Sequence, residues 1–257
     1  MSTLQVITKG NVAEITIQSP PANALSSSIL RDLSKELDQI ESNKTIKAIL
    51  LKGEGKFFSA GADIKEFTSF QSSTDSGSLA GNGQQLFNRI EHFHIPVIAA
   101  IHGAALGGGL ELAMACHIRY VAEDAKLGLP EINLGIIPGF AGTQRLPRYV
   151  GSAKAYEMVL TGVPITGAEA AAAGLANKSF SNENLFEEAE KMAQLIASKS
   201  GPAINQVMKL VPYAYTTQLQ EGIQKESQAF AEVFKNEDAR EGVKAFIEKR
   251  KPEFKDQ

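Results

Sequence analysis

Apolar and polar positions alternate on both sides of residues 9–11, which predicts two strands joined by a turn. Two prolines within residues 19–23 end the second strand. From 26 to 40, apolar residues recur at helical spacing behind serines suited to N-capping, so a helix is predicted there. The continuous apolar run at 46–51, followed by glycines, predicts a strand buried on both faces by helices.

The same order of strand, glycine turn and helix recurs in the middle of the chain. Residues 96–101 are predicted to form a second buried strand, 102–109 a glycine-rich turn, 110–116 a short apolar helix and 118–121 a further strand. Between the two units, residues 69–83 are rich in Ser and Gly, and they predict either a mobile surface loop or a poorly ordered helix start. The repeated unit predicts an α/β core.

Beyond about Thr166 the pattern becomes helical, and no further strand is predicted. Helices are expected at 168–173, 182–199, 202–208, 217–234 and 238–249. Their apolar faces must pack on the core or on another subunit. The chain is therefore predicted to carry a helical appendage at its C-terminal end.

The composition narrows the class of protein. With 43% hydrophobic and 21% charged residues in 257, the chain is typical of globular proteins. The net charge of -3 offers no general attraction for nucleic acid or an anionic membrane. The single cysteine, Cys116, excludes an intrachain disulfide and a zinc site built on several thiolates. Neither a secretory signal pattern nor a run of about 18–20 apolar residues occurs, so we expect a cytoplasmic protein.

Several familiar site signatures are missing from the sequence. The glycines at 107–109 do not have dinucleotide-binding spacing, and no Walker-type phosphate loop is present. The four histidines lack zincin spacing, and there is no Gly-x-Ser-x-Gly elbow. No metal site is predicted.

Glu111 follows the three consecutive glycines, between a predicted strand and a predicted helix. Such a turn exposes N–H groups at the positive end of a helix, where developing negative charge is favoured, or it only permits close packing. A carboxylate next to Leu110 and Leu112 is costly to bury. The structural alternatives are a helix-start acid and an exposed position. Glu111 is thus a candidate for chemistry, and both interpretations stay open.

Glu131 is the second candidate carboxylate, and its structural alternative is a helix-start acid after Pro130. The glycine-rich segment 135–145 that follows forms either the floor of a cavity or a long connection. Small residues at 59–65 would let a ligand lie against the backbone, and Lys65 either meets a phosphate or is simply solvated. Spacing alone does not bring these segments together.

A set of motifs in fixed order resembles the crotonase (enoyl-CoA hydratase/isomerase) family over nearly the whole chain. The motifs are Asn-Ala-Leu at 23–25, Ala-Gly-Ala-Asp-Ile-Lys at 60–65, Gly-Gly-Gly-Leu-Glu-Leu-Ala at 107–113, Pro-Glu at 130–131, Pro-Gly at 138–139, Gly-Thr-Gln-Arg-Leu at 142–146 and the segment 241–252. The resemblance implies an α/β spiral of ββα repeats, which we place at 1–195. It also implies a C-terminal helical region, placed at 196–257, that forms homotrimers or hexamers built as dimers of trimers.

The resemblance further implies acyl-CoA thioester substrates, with coenzyme A as part of the substrate and no separate cofactor. The family's oxyanion hole falls on the backbone N–H groups of Ala62 and Gly108, and each such donor is typically worth about 3 kcal/mol. Glu111 and Glu131 stand where the hydratases carry glutamates that hold a water. Glu111 is expected to accept the water's proton and Glu131 to protonate C2 of a trans-2-enoyl-CoA. The product is a 3-hydroxyacyl-CoA, as in fatty-acid β-oxidation.

Coenzyme A contacts and two departures from the family pattern follow from the same resemblance. The expected contacts are Ala60, Ala62, Asp63, Ile64, Lys65 and Gly108, with Lys56 as a phosphate partner and Phe246 and Lys249 reaching a neighbouring subunit's ligand. Leu129 stands where some members carry a polar residue, which puts the hydrogen bonding around Glu131 in doubt. Phe140 stands where a smaller residue often occurs, which favours short- or medium-chain substrates.

Two other functions compete with hydration. An enoyl-CoA isomerase shifts a double bond and needs no water. A non-catalytic CoA-thioester or RNA-binding protein on the same fold would use neither glutamate. RNA binding calls for a larger positive patch than a net charge of -3 suggests. We therefore expect no nucleic-acid or membrane partner.

Overall fold

The computed structural model describes residues 3–67 and 73–257, with the side chains of 65, 67 and 73–78 outside the description. Its strands are β1 (Leu4–Lys9), β2 (Val12–Ile17), β3 (Ala48–Gly53), β4 (Val97–Ile101), β5 (Ala104–Leu106), β6 (Ile118–Ala122), β7 (Lys126–Gly128), β8 (Ile165–Thr166) and β9 (Lys178–Phe180). Its α-helices are α1 (Ser27–Ser42), α2 (Ile64–Phe67), α3 (Ser73–Glu91), α4 (Gly108–Ala115), α5 (Gly142–Thr161), α6 (Gly167–Ala172), α7 (Asn182–Ala197), α8 (Gly201–Leu210), α9 (Leu219–Val233) and α10 (Glu237–Ile247). Two 3₁₀ helices span Pro130–Leu134 and Val211–Tyr215.

The larger sheet has the strand order β1-β2-β3-β4-β6-β9. The strands β1 and β2 form an antiparallel hairpin, and every other neighbouring pair is parallel. Every residue of β2 and β4 is buried, as expected for parallel strands covered by helices on both faces. The predicted strands at 46–51, 96–101 and 118–121 are confirmed, and so is the helix predicted at 26–40, which Ser26 caps.

The smaller sheet, in the order β5-β7-β8, brings distant parts of the sequence side by side. The strands β5 and β7 are parallel, with Leu106 opposite Gly128. An isolated parallel bridge joins Ser59 to Ala105 on the other side of β5. Because three chain segments run in the same direction here, the loops that follow them leave at the same end of the sheet.

One prediction about secondary structure is wrong, and another had left two alternatives open. The expectation of no strand after Thr166 is wrong, because Lys178–Phe180 pairs with β6 and extends the larger sheet. This three-residue strand is too short to leave an alternating pattern. From Ser73 onward the segment predicted as a loop or helix start is the first part of α3. The rest of that prediction, at 69–72, lies outside the described residues.

The C-terminal helices leave large apolar side chains exposed and end in a tail that returns to the core. Phe230, Phe246 and Ile247 are among these exposed side chains. Asp256 in the tail accepts a hydrogen bond from Gly201 N at 2.7 Å and pairs with Lys47 Nζ at 2.7 Å. The boundary predicted at 195 lies inside α7 and stays a prediction. Among the described residues, no helix has the length and hydropathy needed to cross a membrane.

Candidate active site

Three backbone segments meet beyond the ends of β5 and β7. The Gly107 N–H donates to Gly128 O at 2.9 Å, and the Leu106 N–H donates to Ser59 O at 3.0 Å. A Cβ on Gly109 would lie 2.4 Å from Ser59 O, so only glycine permits this approach. The structure thus brings together the segments at 59–65, 107–111 and 129–131 that sequence spacing left apart.

Two backbone N–H groups at this junction have no acceptor among the described residues. Around Ala62, the hydrogen bonds run from Leu25 N to Gly61 O and from Asp63 N to Leu25 O, which leaves the Ala62 N–H unpaired. Gly108 begins α4, where a helix leaves its first N–H groups without partners. A Cβ on Gly108 would lie 3.4 Å from Ala62 N, so the two groups are neighbours. Together they form a pair of free donors.

Glu111 lies in the first turn of α4 with only 1% of its surface exposed. Its Oε1 accepts hydrogen bonds from Phe140 N at 2.8 Å and Gly142 N at 2.7 Å. Burial and the charge of Glu131 raise the pKa of Glu111 to about 7, against the opposing effect of the two N–H donors and Arg145. Glu111 can therefore gain and lose a proton near neutral pH.

Glu131 is the second residue of the Pro130–Leu134 3₁₀ helix and is half-buried. Its Oε2 is buried without a hydrogen-bond partner among the described residues, and burial raises its pKa. Its Oε1 lies 2.9 Å from the position of a Cβ on Gly107, a residue with φ +51°. Glycine at 107 therefore makes room for the carboxylate and accommodates the left-handed backbone.

These groups face one cavity of about 800 Å³. Its walls combine Glu111 and Glu131 with many apolar side chains, including Leu134, Ile136 and Ile137. Among the described residues, the lining consists of Ala60, Gly61, Ala62, Ile64, Leu79, Ala80, Gly107, Gly108, Glu111, Pro130, Glu131, Asn133, Leu134, Gly135, Ile136, Ile137, Gly139 and Phe140. A few polar groups in a largely apolar cavity are typical of a small-molecule site.

Phe140 forms part of the cavity wall and also packs into the core, with 4% of its surface exposed. Its ring meets Phe87 edge-on with centroids 5.3 Å apart. Glycine is needed on both sides of the ring, because a Cβ on Gly83 would lie 2.3 Å and one on Gly108 3.0 Å from ring atoms. The large residue at 140 is thus accommodated by two small ones.

Some of the residues predicted to contact coenzyme A line the cavity and others do not. Ala60, Ala62, Ile64 and Gly108 line the cavity, and their contacts with coenzyme A stay predictions. Four of the residues predicted to contact coenzyme A do not line it, namely Lys56, Asp63, Phe246 and Lys249. The Lys65 side chain is outside the described part of the structure. The roles predicted for these five residues stay predictions.

Sequence reasoning did not identify the groups that hold Glu111. The two N–H donors belong to residues 140 and 142, and the intervening Ala141 is left-handed with φ 70°. Arg145, 2% exposed, donates to Phe140 O at 2.9 Å. The sequence contained one signal, the glycines and arginine of segment 135–145, but it cannot show which way a peptide bond faces.

Comparison with known proteins agrees with this geometry. The model of the enoyl-CoA hydratase/isomerase family matches residues 7–257. A Bacillus subtilis protein named probable enoyl-CoA hydratase is 58% identical over 246 residues, covering 95% of each chain. A Clostridium acetobutylicum protein named short-chain-enoyl-CoA hydratase is 40% identical over 248 residues, covering 95% of this chain and 94% of the other.

A solved structure extends the likeness to the fold. The crystal structure of enoyl-CoA hydratase from Bacillus anthracis matches with a TM-score of 0.95 at 36% identity, covering 100% of both chains. The predicted α/β crotonase-like architecture with its helical C-terminal region is confirmed. On its sequence and its fold, the chain belongs to the enoyl-CoA hydratase/isomerase family.

Proposed function

We propose that the protein adds water across the double bond of a trans-2-enoyl-CoA to give a 3-hydroxyacyl-CoA. The observation that carries this proposal is the pair of carboxylates, Glu111 and Glu131, facing one cavity beside two unpaired backbone N–H groups. An enzyme that only shifts a double bond needs one base, whereas holding and splitting a water suits two carboxylates. The names of the Bacillus subtilis and Clostridium acetobutylicum relatives agree with this choice.

The Ala62 and Gly108 N–H groups are proposed to bind the thioester oxygen as it gains negative charge. Both belong to a rigid backbone and need no reorganisation during the reaction. Gly108 also stands at the N-terminus of α4, where the helix dipole favours negative charge. Two such donors contribute about 3 kcal/mol each in comparable enzymes.

Glu111 is proposed to accept the proton of the attacking water and Glu131 to deliver a proton to C2. Burial and the charge of Glu131 raise the pKa of Glu111 to about 7, and the two N–H donors on its Oε1 act against this by supporting the ionised form that a base requires. Glu131 Oε2 has no donor among the described residues, and burial favours the protonated form that an acid requires. Water adds to C3 from the face on which both carboxylates lie.

The apolar walls at Leu134, Ile136 and Ile137 are proposed to receive the acyl chain. Phe140 favours a short or medium chain, in line with the name of the Clostridium acetobutylicum relative. Coenzyme A, the substrate's own carrier, would lie along 60–65. Lys56 would meet a phosphate, and Phe246 and Lys249 of a neighbouring subunit would reach it in a homotrimer or hexamer. The proposed setting is cytoplasmic fatty-acid β-oxidation.

Steady-state hydration assays on Glu111→Gln and Glu131→Gln test the proposal. Each variant keeps the side-chain shape and removes the acid or base, so kcat should fall by about 10²–10⁴-fold. Near-wild-type hydration by either variant would remove that glutamate from the mechanism. Product analysis with trans-2- and trans-3-enoyl-CoA distinguishes hydration from isomerisation. No turnover of any enoyl-CoA in a chain-length panel would refute the function itself.

A further inference from the structure

The turn at 140–142 presents alternate faces to two different charged groups. The N–H groups of Phe140 and Gly142 both point at Glu111 Oε1, at 2.8 and 2.7 Å. The peptide bond between them has its carbonyl, Phe140 O, directed at Arg145 Nη1 at 2.9 Å. The two N–H groups on either side of the left-handed Ala141 thus converge on one carboxylate oxygen and form a small backbone site for an anion. The side that binds Glu111 and the side that binds Arg145 are therefore fixed together.

Arg145 is itself held firmly. Its guanidinium is buried and donates to Glu91 Oε2 from Nε at 3.0 Å and from Nη2 at 2.9 Å. Nη2 also donates to Asn88 Oδ1 at 2.6 Å. Glu91 and Asn88 lie on α3, so a planar five-donor group ties this helix to the turn. A buried charge with this many partners serves as a rigid support rather than a mobile side chain.

We propose that Arg145 is a positioning residue for Glu111, holding the 140–142 turn so that its two N–H groups face the carboxylate. This role rests on the proposed hydration, in which Glu111 acts as an ionised base. Among the described residues, Arg145 makes no hydrogen bond or ion pair with Glu111 and does not line the cavity, so its direct contact with the turn is the hydrogen bond to the Phe140 carbonyl. Its positive charge also lowers the pKa of Glu111, while burial and the charge of Glu131 raise it.

Arg145→Gln and Arg145→Lys test the proposal. Without the guanidinium the turn loses its anchor, so kcat should fall about 10-fold or more while KM changes less than about 3-fold. The acidic limb of the kcat–pH profile should move to higher pH, because the ionised form of Glu111 loses support. Lysine keeps the charge but cannot donate to Phe140 O, Glu91 and Asn88 in the same planar geometry, so its profile should fall between those of wild type and Arg145→Gln.

Arg148→Gln is the matched control. Arg148 lies on the same helix and pairs with the same Glu91, at 3.0 Å, but is 49% exposed and makes no hydrogen bond to Phe140. Its kcat and pH profile should stay within about 2-fold of wild type, because it does not support the turn. Circular dichroism and thermal melting establish which variants fold, and Arg145→Lys decides the matter if Arg145→Gln does not fold.

An infrared titration of the Glu111 carboxyl, taken as a difference from Glu111→Gln, gives a readout that needs no substrate. The expected result is a Glu111 pKa that rises in the folded Arg145 variants. Folded Arg145 variants with wild-type kcat, pH profile and Glu111 titration would overturn the positioning role even if hydration is proven. Absence of hydration in the wild type would instead refute the function, and a raised Glu111 pKa would still support the structural link.

Discussion

Replacing Glu111 with glutamine removes a charge that the folded chain buries at a cost. The side chain is 1% exposed, and its pKa rises from an ordinary value of 4.5 to about 7. The glutamine side chain would keep an oxygen in place to accept the Phe140 and Gly142 N–H groups. The substitution should therefore cost little in hydrogen bonding and remove the unfavourable ionisation.

The size and pH range of the effect follow from the pKa. Below pH 4.5 the carboxyl is protonated in the folded and unfolded states alike, so the two proteins should differ little from this source. Between pH 4.5 and 7 the unfolded state ionises first and wild type loses stability relative to the variant. Above pH 7 the difference no longer grows. The interval between the two pKa values, 4.5 and about 7, corresponds at 1.36 kcal/mol per unit to about 3 kcal/mol in favour of Glu111→Gln.

Urea unfolding followed by circular dichroism measures this difference, since the chain contains no tryptophan. Wild type and variant are compared at one protein concentration, at about pH 5 and about pH 8, because association shifts apparent stability. About 3 kcal/mol at the higher pH also corresponds to a melting temperature roughly 6–12 °C higher, by the usual scaling for a chain of this size. Equal stabilities at the higher pH, or a gap that does not change with pH, would refute the reasoning.

Glu14→Gln provides a control of opposite sign. Glu14 is also buried, and burial raises its pKa, but the hydrogen bonds from Lys52 and Lys9 outweigh that effect and lower it overall. Its ionised form therefore stabilises the fold above the ordinary pKa of 4.5, and this contribution is lost as the pH falls through the lowered value. Glu14→Gln should destabilise the protein at about pH 8 and approach wild type in acid.

Two further substitutions test contacts at the site and in the tail. Gly142→Ala places a Cβ 2.8 Å from Glu111 Oε1, so hydration should fall about 10-fold or more and stability by about 1–3 kcal/mol. The control is Gly81→Ala in α3, whose Cβ meets nothing within 4 Å; it should leave hydration unchanged and raise stability by about 0.5–1 kcal/mol through helix propensity. Asp256→Ala leaves the buried Lys47 without its carboxylate and should lower the free energy of unfolding by about 1–3 kcal/mol in urea titrations; unchanged stability would show that the tail contact contributes nothing.

The sequence predicted the main strands because burial on both faces leaves continuous apolar runs, as at 46–51 and 96–101. It missed Lys178–Phe180 because a three-residue edge strand carries no periodic signal. It left the first part of α3 open between a loop and a helix start, because Ser and Gly lower local helix propensity there, whereas Leu86, Phe87 and Ile90 further along the helix pack in the core. Tertiary packing decided the outcome there.

The candidate site, like the fold, could be predicted only in part from the sequence. Glu111 and Glu131 are identifiable as candidates because each carboxylate stands beside glycine turns and apolar residues, where burying its charge costs free energy. Their meeting at one cavity depends on the pairing of β5 with β7, which no spacing rule specifies. The donors from residues 140 and 142 are backbone groups, and a main-chain N–H looks the same in every sequence. Motif order found the family, but only the fold reveals this support.

The Phe140 ring fills the space that a side chain at position 83 would need, since a Cβ on Gly83 would lie 2.3 Å from ring atoms. The residue at 83 can therefore become larger only if the residue at 140 becomes smaller. A small residue at 140 should permit a larger one at 83, and a large residue at 140 should require glycine at 83. Because Glu111 is held by the main chain at 140, such paired changes can alter the cavity wall while the peptide bond that binds the carboxylate is inherited unchanged.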